Sequence, residues 1–459
     1  MIDVALAVLI LIVAGLPLGY ALTRAVPLAL VVAPIAGAAV ATAAVLLMLA
    51  FTGPLVAWFI PVYALTFALA WRLRHRPRLP LSGWRDALLV SVPLVPPLLP
   101  LAAKPVGTDA HLIWWLHAGW FTHGGDYARE AISNPILGFT HPDYPPLASA
   151  PVALVWELLG IRTFYPAHLV TGFLTFSAIA MVVYAVRVAT ARGPALLSWP
   201  AAIAAGYAAW TPFWRSPTDG FSDAMCACAF AAAAVLILLA RPAPGQLTLA
   251  VFLASTAALM KNEGVSLVAA LALVATVKYR RELRRAAPLW IPLGVTAVWS
   301  VTARLLHAKT DVLAAGSFSA LLHGDPAILG RLPDIYASFT DRIGWLAVLT
   351  IAAAVLGNVL LRQRRAELDL GADGWLWVIA ALHTAGLVLI YTVTPYDLGW
   401  HLRTSIDRVT IVLAVLACAS AACWAVTALT PLLTAIRPTS TVQPDPPVPA
   451  LAPTNPRST

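Results

Sequence analysis

Residues 27–50 read PLALVVAPIAGAAVATAAVLLMLA, 24 consecutive positions without a charged side chain. A helix rises ~1.5 Å per residue, so the stretch is long enough to cross the ~30 Å hydrocarbon core of a bilayer. Comparable runs recur at about 3–22, 54–71, 86–103, 164–187, 195–211, 222–240, 246–260, 264–277, 287–304, 343–361, 375–393 and 406–430. The whole chain of 459 residues is 60% hydrophobic and only 11% charged, with a mean hydropathy of +0.81. Soluble domains devote about a quarter of their residues to charged side chains. Less than half that density cannot cover a water-soluble body of this size. The sequence therefore predicts an all-α integral membrane protein, a polytopic bundle of about 13 transmembrane helices with long extracytoplasmic loops. It excludes a disordered chain, a disulfide scaffold and a cytosolic enzyme with a single anchor.

A net charge of +9 raises the question of nucleic acid, and the distribution of that charge answers it. Basic residues sit in short connections between apolar runs, most densely at Arg72–Arg78, Lys278–Arg285 and Arg362–Arg365. Placing these three in the cytoplasm fixes every other loop. The cytoplasmic side then holds 19 Lys+Arg against 6 Asp+Glu, and the outer side 11 against 15, the asymmetry that membrane insertion imposes. The expected location is the inner (plasma) membrane, multi-pass, with membrane lipids as partners and no nucleic acid. Eight of the ten histidines fall outside, so polar chemistry concentrates there. Met1-Ile2-Asp3 leads straight into an apolar run without a basic n-region, which reads as a retained first span. The four cysteines all lie within apolar segments and read as small buried hydrophobes.

Three regions follow: residues 1–85, N-terminal transmembrane helices and a basic cytoplasmic loop; 86–430, a transmembrane core with outer loops at 104–163 and 305–342; and 431–459, a disordered Pro-rich cytoplasmic tail. Segments 246–260 and 264–277 are short, separated by Lys261-Asn262-Glu263-Gly264, and read either as two spans or as a broken, re-entrant pair.

The first outer loop opens Lys104-Pro105-Val106-Gly107-Thr108-Asp109-Ala110-His111. Thr108 or Asp109 is placed to cap a helix running to about Thr122. On that helix Trp114, Trp115 and Trp120 suit a position in the membrane interface. Asp109 has two readings, a helix cap or a carboxylate at the water–lipid boundary that takes a proton from a hydroxyl. His141-Pro142-Asp143-Tyr144-Pro145-Pro146-Leu147 is kept non-helical by its prolines. It groups an imidazole, a carboxylate and a phenol, the makings of a substrate contact. Lys261 and Glu263 stand between two apolar runs, where an isolated charge costs several kcal/mol unless paired or facing water. A structural pair of Lys261 with Glu263 or Asp223 explains them, and so does coordination of a lipid-linked phosphate. Arg403 and Arg408 open the last span beside His401 and Asp407, and arginine suits bidentate phosphate recognition. One of the two is expected to pair with Asp397 or Asp407, leaving the other for substrate, with a slight preference for Arg403. Arg215 reads as an interfacial residue, and His383 as a buried, hydrogen-bonded histidine.

Taken in order, these segments resemble polyprenyl-phosphate-sugar-dependent glycosyltransferases of the GT-C class, bacterial enzymes of the cell envelope. The resemblance rests on the early outer loop opening with Asp109, the Tyr144-Pro145-Pro146-Leu147 segment, Thr218–Ala224, Met260–Gly264 and His401–Arg408, and it covers roughly residues 86–430. It implies transfer of a sugar, with inversion, from a polyprenyl-phosphate donor to a cell-envelope glycan or glycolipid acceptor on the extracytoplasmic side. By the same resemblance Asp109 is the catalytic base, and Lys261, Arg403 and Arg408 bind the donor phosphate. His111, His141, Asp143, Tyr144, Glu263 and His401 position substrate. No cofactor is implied with certainty. No carboxylate cluster has the spacing of a dedicated metal site, and the sequence leaves open a divalent cation bridging the donor phosphate, as in part of the class. The chain departs from the class in having four spans before the catalytic loop where one is usual, and in following Asp109 with Ala110 rather than a second acid. Two other classes compete with this reading: a secondary transporter or lipid flippase, and a non-catalytic envelope-assembly membrane protein.

Overall fold

The computed structural model describes residues 2–94, 107–210, 218–240, 243–309, 317–360 and 370–436. Within them the chain is helical throughout, with no strand. The first half comprises α1 (Ile2–Thr23), α2 (Val26–Phe51), α3 (Leu55–Arg72), α4 (Trp84–Val90), α5 (Trp115–Thr122), α6 (Gly125–Ser133), α7 (Ala150–Leu159), α8 (Phe164–Ala189), α9 (Ala195–Tyr207) and α10 (Asp223–Leu238). Then come α11 (Pro244–Ala258), α12 (Asn262–Lys278), α13 (Leu283–Ala286), α14 (Ile291–Leu305), α15 (Ser317–Leu322), α16 (Pro326–Leu329), α17 (Leu332–Leu360), α18 (Leu370–Val393), α19 (Leu398–Val409) and α20 (Ile411–Ile436).

Seven of the described segments are long and apolar enough to cross a membrane: α1, α2, α3, α8, Arg284–Leu305 around α14, Gly374–Val393 of α18, and Leu398–Leu433 of α19 and α20. The two short central runs resolve into an antiparallel hairpin, α11 and α12, with Leu259–Lys261 at its tip. The start of α11 meets Leu79 across Gly245, and α12 ends with the Tyr279 hydroxyl donating to Ile237 O at the foot of α10 (2.6 Å). The expected outer loops are themselves largely helical, holding α5, α6 and α7 in one and α15, α16 and the start of α17 in the other. The basic loop at 361–365, Lys104, Arg215 and the tail from 437 onward lie outside the described residues.

Connections segregate to two ends of the bundle. At one end the Arg24 guanidinium donates to Ala70 O (3.3 Å) and to Arg74 O, and the Tyr184 hydroxyl to Pro80 O (3.3 Å). This end carries the basic segments at 72–78 and 278–285. At the other, Arg129 of α6 caps the last turn of α2 through Leu49 O and Ala50 O (both 2.7 Å), and the Glu157 carboxylate accepts from Val56 N at the start of α3 (3.1 Å). Helix termini expose unpaired carbonyls and amides, and these side chains tie the 107–163 segment across them.

The N-terminal helices share one buried core with α7, α8 and α10 rather than forming a unit of their own. Their approach depends on small residues. A Cβ at Gly15 would lie 1.8 Å from Ala33 O, and one at Gly37 would lie 2.5 Å from Leu11 O. Gly15-Leu16-Pro17-Leu18-Gly19 thus works as a small-xxx-small face, letting two backbones touch where lipid supplies no hydrophobic driving force. Gly15→Leu is expected to force α1 and α2 apart at a cost of about 3 kcal/mol or more, the top of the overpacking range. Thermal unfolding in detergent should show a midpoint lowered by several degrees, whereas Gly294→Ala, with open space around its Cβ, should match the parent.

Candidate functional site

Four helix ends meet where the 107–163 segment covers the bundle. Asp109 lies at the start of a helix that opens with a π turn, Ala110–Trp114, and runs on as α5. Such turns frequently occur at functional sites. The start of this helix is seated by contact with the Thr218–Phe221 turn. A Cβ at Gly107 would fall 2.2 Å from Asp219 O, and Gly220 has φ +81° with its Cβ position 2.7 Å from that of Ala110. Only glycine meets both demands at 220.

The Asp109 carboxylate does not cap its own helix. It bonds Arg408 Nη1, near the end of α19. The same guanidinium nitrogen lies 3.9 Å from Asp223 Oδ2, at the start of α10, and the guanidinium stacks 4.7 Å from the Phe221 ring. Asp223 Oδ1 accepts from Lys261 Nζ at 2.9 Å, and Lys261 lies 3.2 Å from Glu263 Oε1 at the start of α12. Three carboxylates and two cations form one connected chain. Side-chain exposures of 5% for Asp223, 9% for Lys261 and 15% for Arg408 put its middle out of water.

Four of the five charges agree with the local helix field, and Lys261, at the N-cap of α12, is held against it by its two carboxylates. The carboxylates lie at helix N-termini and Arg408 in a last turn, the placements a macrodipole favours. Burial works to lower the Lys261 pKa, and Asp223 and Glu263 outweigh it, holding the ammonium charged well above its ordinary range. Beneath it, 5.8 Å away, lies the Tyr144 ring. Burial and then Glu263 push that phenol far up, so it stays protonated.

The 141–147 segment is pinned to the tip of the α11–α12 hairpin. Asn262 Nδ2 donates to Asp143 Oδ2 (2.9 Å), Trp299 Nε1 to Asp143 O (2.8 Å), and Leu147 N to Leu259 O (3.1 Å). His141 has φ +55°, a strained conformation for a non-glycine residue, and stacks on Tyr144 with centroids 4.7 Å apart. Below the charges a recess of about 30 Å³ is lined by Asp223, Cys226, Lys261, Glu263, His383 and Arg408, with Leu267, Val409 and Val412 as its apolar wall. That is room for a water or two. His383 faces it while hydrogen-bonded to Val409 O (3.4 Å), and Cys226 donates to Ala257 O (3.4 Å). Both fit the buried roles read from sequence. Among the described residues no three His, Cys, Asp or Glu side chains converge as a metal site.

Several expectations need correction. Trp114, Trp115 and Trp120 are only 2–4% exposed, so their helix is packed inside the protein rather than lying along the membrane interface. Neither arginine of α19 pairs with Asp397 or Asp407. Asp397 caps α19 by accepting from Trp400 N (2.7 Å), and Asp407 faces Arg342 (3.3 Å). Arg408, not the preferred Arg403, enters the charge cluster. The amphipathic α19 buries Leu402 and Ile406 and leaves Arg403 exposed. His111 packs edge-on against Trp115 and Phe164, and His401 bonds Thr394 Oγ1 (2.9 Å), both apart from the cluster. The pairs of Lys261 with Asp223 and with Glu263 read from the sequence are both present. Sequence reasoning left out that Asp223, an acid opening a 16-residue apolar helix, is shared with Arg408, and it left out Asn262.

No family model, curated protein or solved structure matches the chain.

Removing Arg408 leaves Asp109 without a cation and Asp223 with Lys261 alone, and breaking a buried pair from one side costs about 3–5 kcal/mol. Arg408→Ala should therefore sharply lower the detergent unfolding midpoint, whereas Arg403→Ala should stay within about 0.5 kcal/mol of the parent. Equal effects would place Arg403 in the network. A second expectation concerns His117, buried under Trp120. Burial drives its pKa down to about 3, against a Thr140 backbone hydrogen bond that raises it. The unfolded chain takes up this proton near pH 6.5 and the folded one does not, so stability falls as pH drops below 6.5. The loss reaches about 2 kcal/mol at pH 5. His117→Phe should flatten the difference in midpoint between pH 7 and pH 5 by that amount.

Proposed function

We propose that the chain is a membrane glycosyltransferase similar to the GT-C class, taking sugar from polyprenyl phosphate and passing it, with inversion, to a cell-envelope glycan or glycolipid outside the inner membrane. The observation that carries this reading is the meeting of Asp109, Arg408, Asp223, Lys261 and Glu263 from four helix ends at the end of the bundle opposite the basic segments. In the full topology the seven long apolar segments are joined by α9, α10, α11, α12, the second half of α17 and the sequence run 86–103 to give thirteen crossings.

In this reading the acceptor hydroxyl gives its proton to the Asp109 carboxylate as its oxygen bonds the anomeric carbon. The bond from that carbon to the phosphate oxygen breaks, and polyprenyl phosphate leaves with the electron pair. Charge develops on the departing phosphate, and Arg408 and Lys261 are the cations at hand to neutralise it. The donor phosphate competes with Asp109 for the Arg408 guanidinium, so donor binding frees the carboxylate to act. His141, Asp143 and Tyr144, locked to the hairpin tip through Asn262, form the wall against which sugar or acceptor is held. A divalent cation on the phosphate is compatible with the carboxylates present and is not required by these steps.

Purified protein incubated with a panel of polyprenyl-phosphate sugars should consume one of them and release polyprenyl phosphate. Asp109→Asn should bind that donor and turn it over at least about a hundred-fold more slowly, the effect of losing a general base. Lys261→Ala should weaken donor binding about ten- to a hundred-fold. Near-normal turnover by Asp109→Asn removes it as the base and leaves Asp143 next in line. Consumption of no donor by the parent protein overturns the reading in favour of a transporter, a flippase or an assembly protein.

A further inference from the structure

At the opposite end of the bundle another buried cation makes no ion pair or hydrogen bond through two of its nitrogens among the described residues. Arg187, in the last turn of α8, is 8% exposed. Its Nε and Nη1 are shielded from solvent and hydrogen-bonded to nothing. Asp86 acts on it electrostatically, yet forms no ion pair with it within 4 Å, and its own Oδ2 accepts from Gly83 N (3.3 Å). The guanidinium lies 5.3 Å from the Trp199 ring, held there because the α8–α9 turn folds back through Ser198 Oγ donating to Thr190 O (3.0 Å).

An uncompensated guanidinium with two idle donors is among the costliest groups a membrane protein can bury. A helix C-terminus and a ring face offset only part of that cost. Among the described residues nothing accepts from Nε or Nη1, which leaves the guanidinium open to an acceptor brought from outside. The surroundings define its chemistry. Arg187 shares an end with Pro80 through Tyr184, and so with Arg72, Arg74, Arg76 and Arg78. This is the end where a cytoplasmic leaflet presents anionic headgroups. The flanking helices α4 and α9 expose Trp84, Leu88 and Leu196, apolar side chains suited to acyl chains. A phosphate diester matches the planar fork of donors of an arginine.

We propose that Arg187, backed by Trp199 and flanked by α4 and α9, binds the phosphate of an anionic phospholipid headgroup at the end of the bundle bearing the basic segments. The site is separated from the Asp109 cluster by most of α8, about 35 Å from Phe164 to Arg187 at the helical rise, and stands whether or not the chain transfers sugar.

The test is lipid binding to the full-length protein in detergent, followed by native mass spectrometry and thermal unfolding. Phosphatidylglycerol, phosphatidylcholine and inorganic phosphate are the three probes. The parent should retain phosphatidylglycerol and gain thermal stability from it, with little response to phosphatidylcholine or phosphate. Arg187→Gln should lose about ten- to a hundred-fold in phosphatidylglycerol affinity, and Arg187→Lys, which keeps the charge, covers the case in which the glutamine variant does not fold. Asp86→Asn should bind phosphatidylglycerol at least as well as the parent. Equal phosphatidylglycerol binding by the parent and Arg187→Gln overturns the proposal. So does saturation by inorganic phosphate with the same affinity, which assigns the site to a free anion. Loss of binding in Asp86→Asn also overturns it, because Asp86 would then be part of the site.

Discussion

A guanidinium between two carboxylates, mostly out of reach of water, ties together helices far apart in the chain. Arg408 closes on Asp109 and Asp223 across nearly 300 positions of sequence. Neither carboxylate could remain at its depth without a cation, and Lys261 completes the balance on the far side of Asp223. The constraint reaches outward from there. For Asp109 to meet Arg408, its helix must lie on the Thr218–Phe221 turn, which explains the backbone contact at Gly107 and the positive φ at Gly220. For Arg408 to point inward, α19 must end where α20 begins. Thr410 marks that junction, its hydroxyl bonded back to Ile406 O (2.7 Å).

Such a network is electrically near balance and geometrically demanding. Desolvating five charges is unfavourable, and their mutual attraction offsets it only while all are present. Clusters of this kind are weak devices for stability and better ones for responsiveness, since an incoming anion or cation can replace an internal partner. The small recess beneath the cluster adjoins both cations, with an apolar wall descending beside them.

The amphipathic and apolar periodicities made most of the fold legible. Each of the thirteen apolar runs holds a helix over its described residues, because apolar length is a property of local composition. What the sequence hid were choices among partners. Arg403 and Arg408 differ by five positions on a helix, and only the packing of Leu402 and Ile406 decides which faces the bundle. The tryptophans of the 108–122 helix suit an interface and a core equally well by composition. The covering segment turned them inward. The sequence offered Asp223 as a partner for Lys261, but its second partner, Arg408, lies 185 positions away, beyond any local pattern.

The α11–α12 hairpin bears on the bilayer itself. Its arms have 15 and 17 residues, spanning about 23 and 25 Å at the helical rise, less than the ~30 Å thickness of typical hydrocarbon. Leu273 and Val277 of α12 are exposed, and in the topology proposed above this short flank faces lipid. A short hydrophobic flank is accommodated by local thinning of the bilayer. In that topology acyl chains beside α12 compress or splay, drawing the headgroup plane down toward the level of Lys261 and Glu263. Hydrophobic mismatch on one side of the molecule thus sets how deep an amphiphile must sink to meet the buried charges, and makes that depth sensitive to the acyl-chain length of the host membrane.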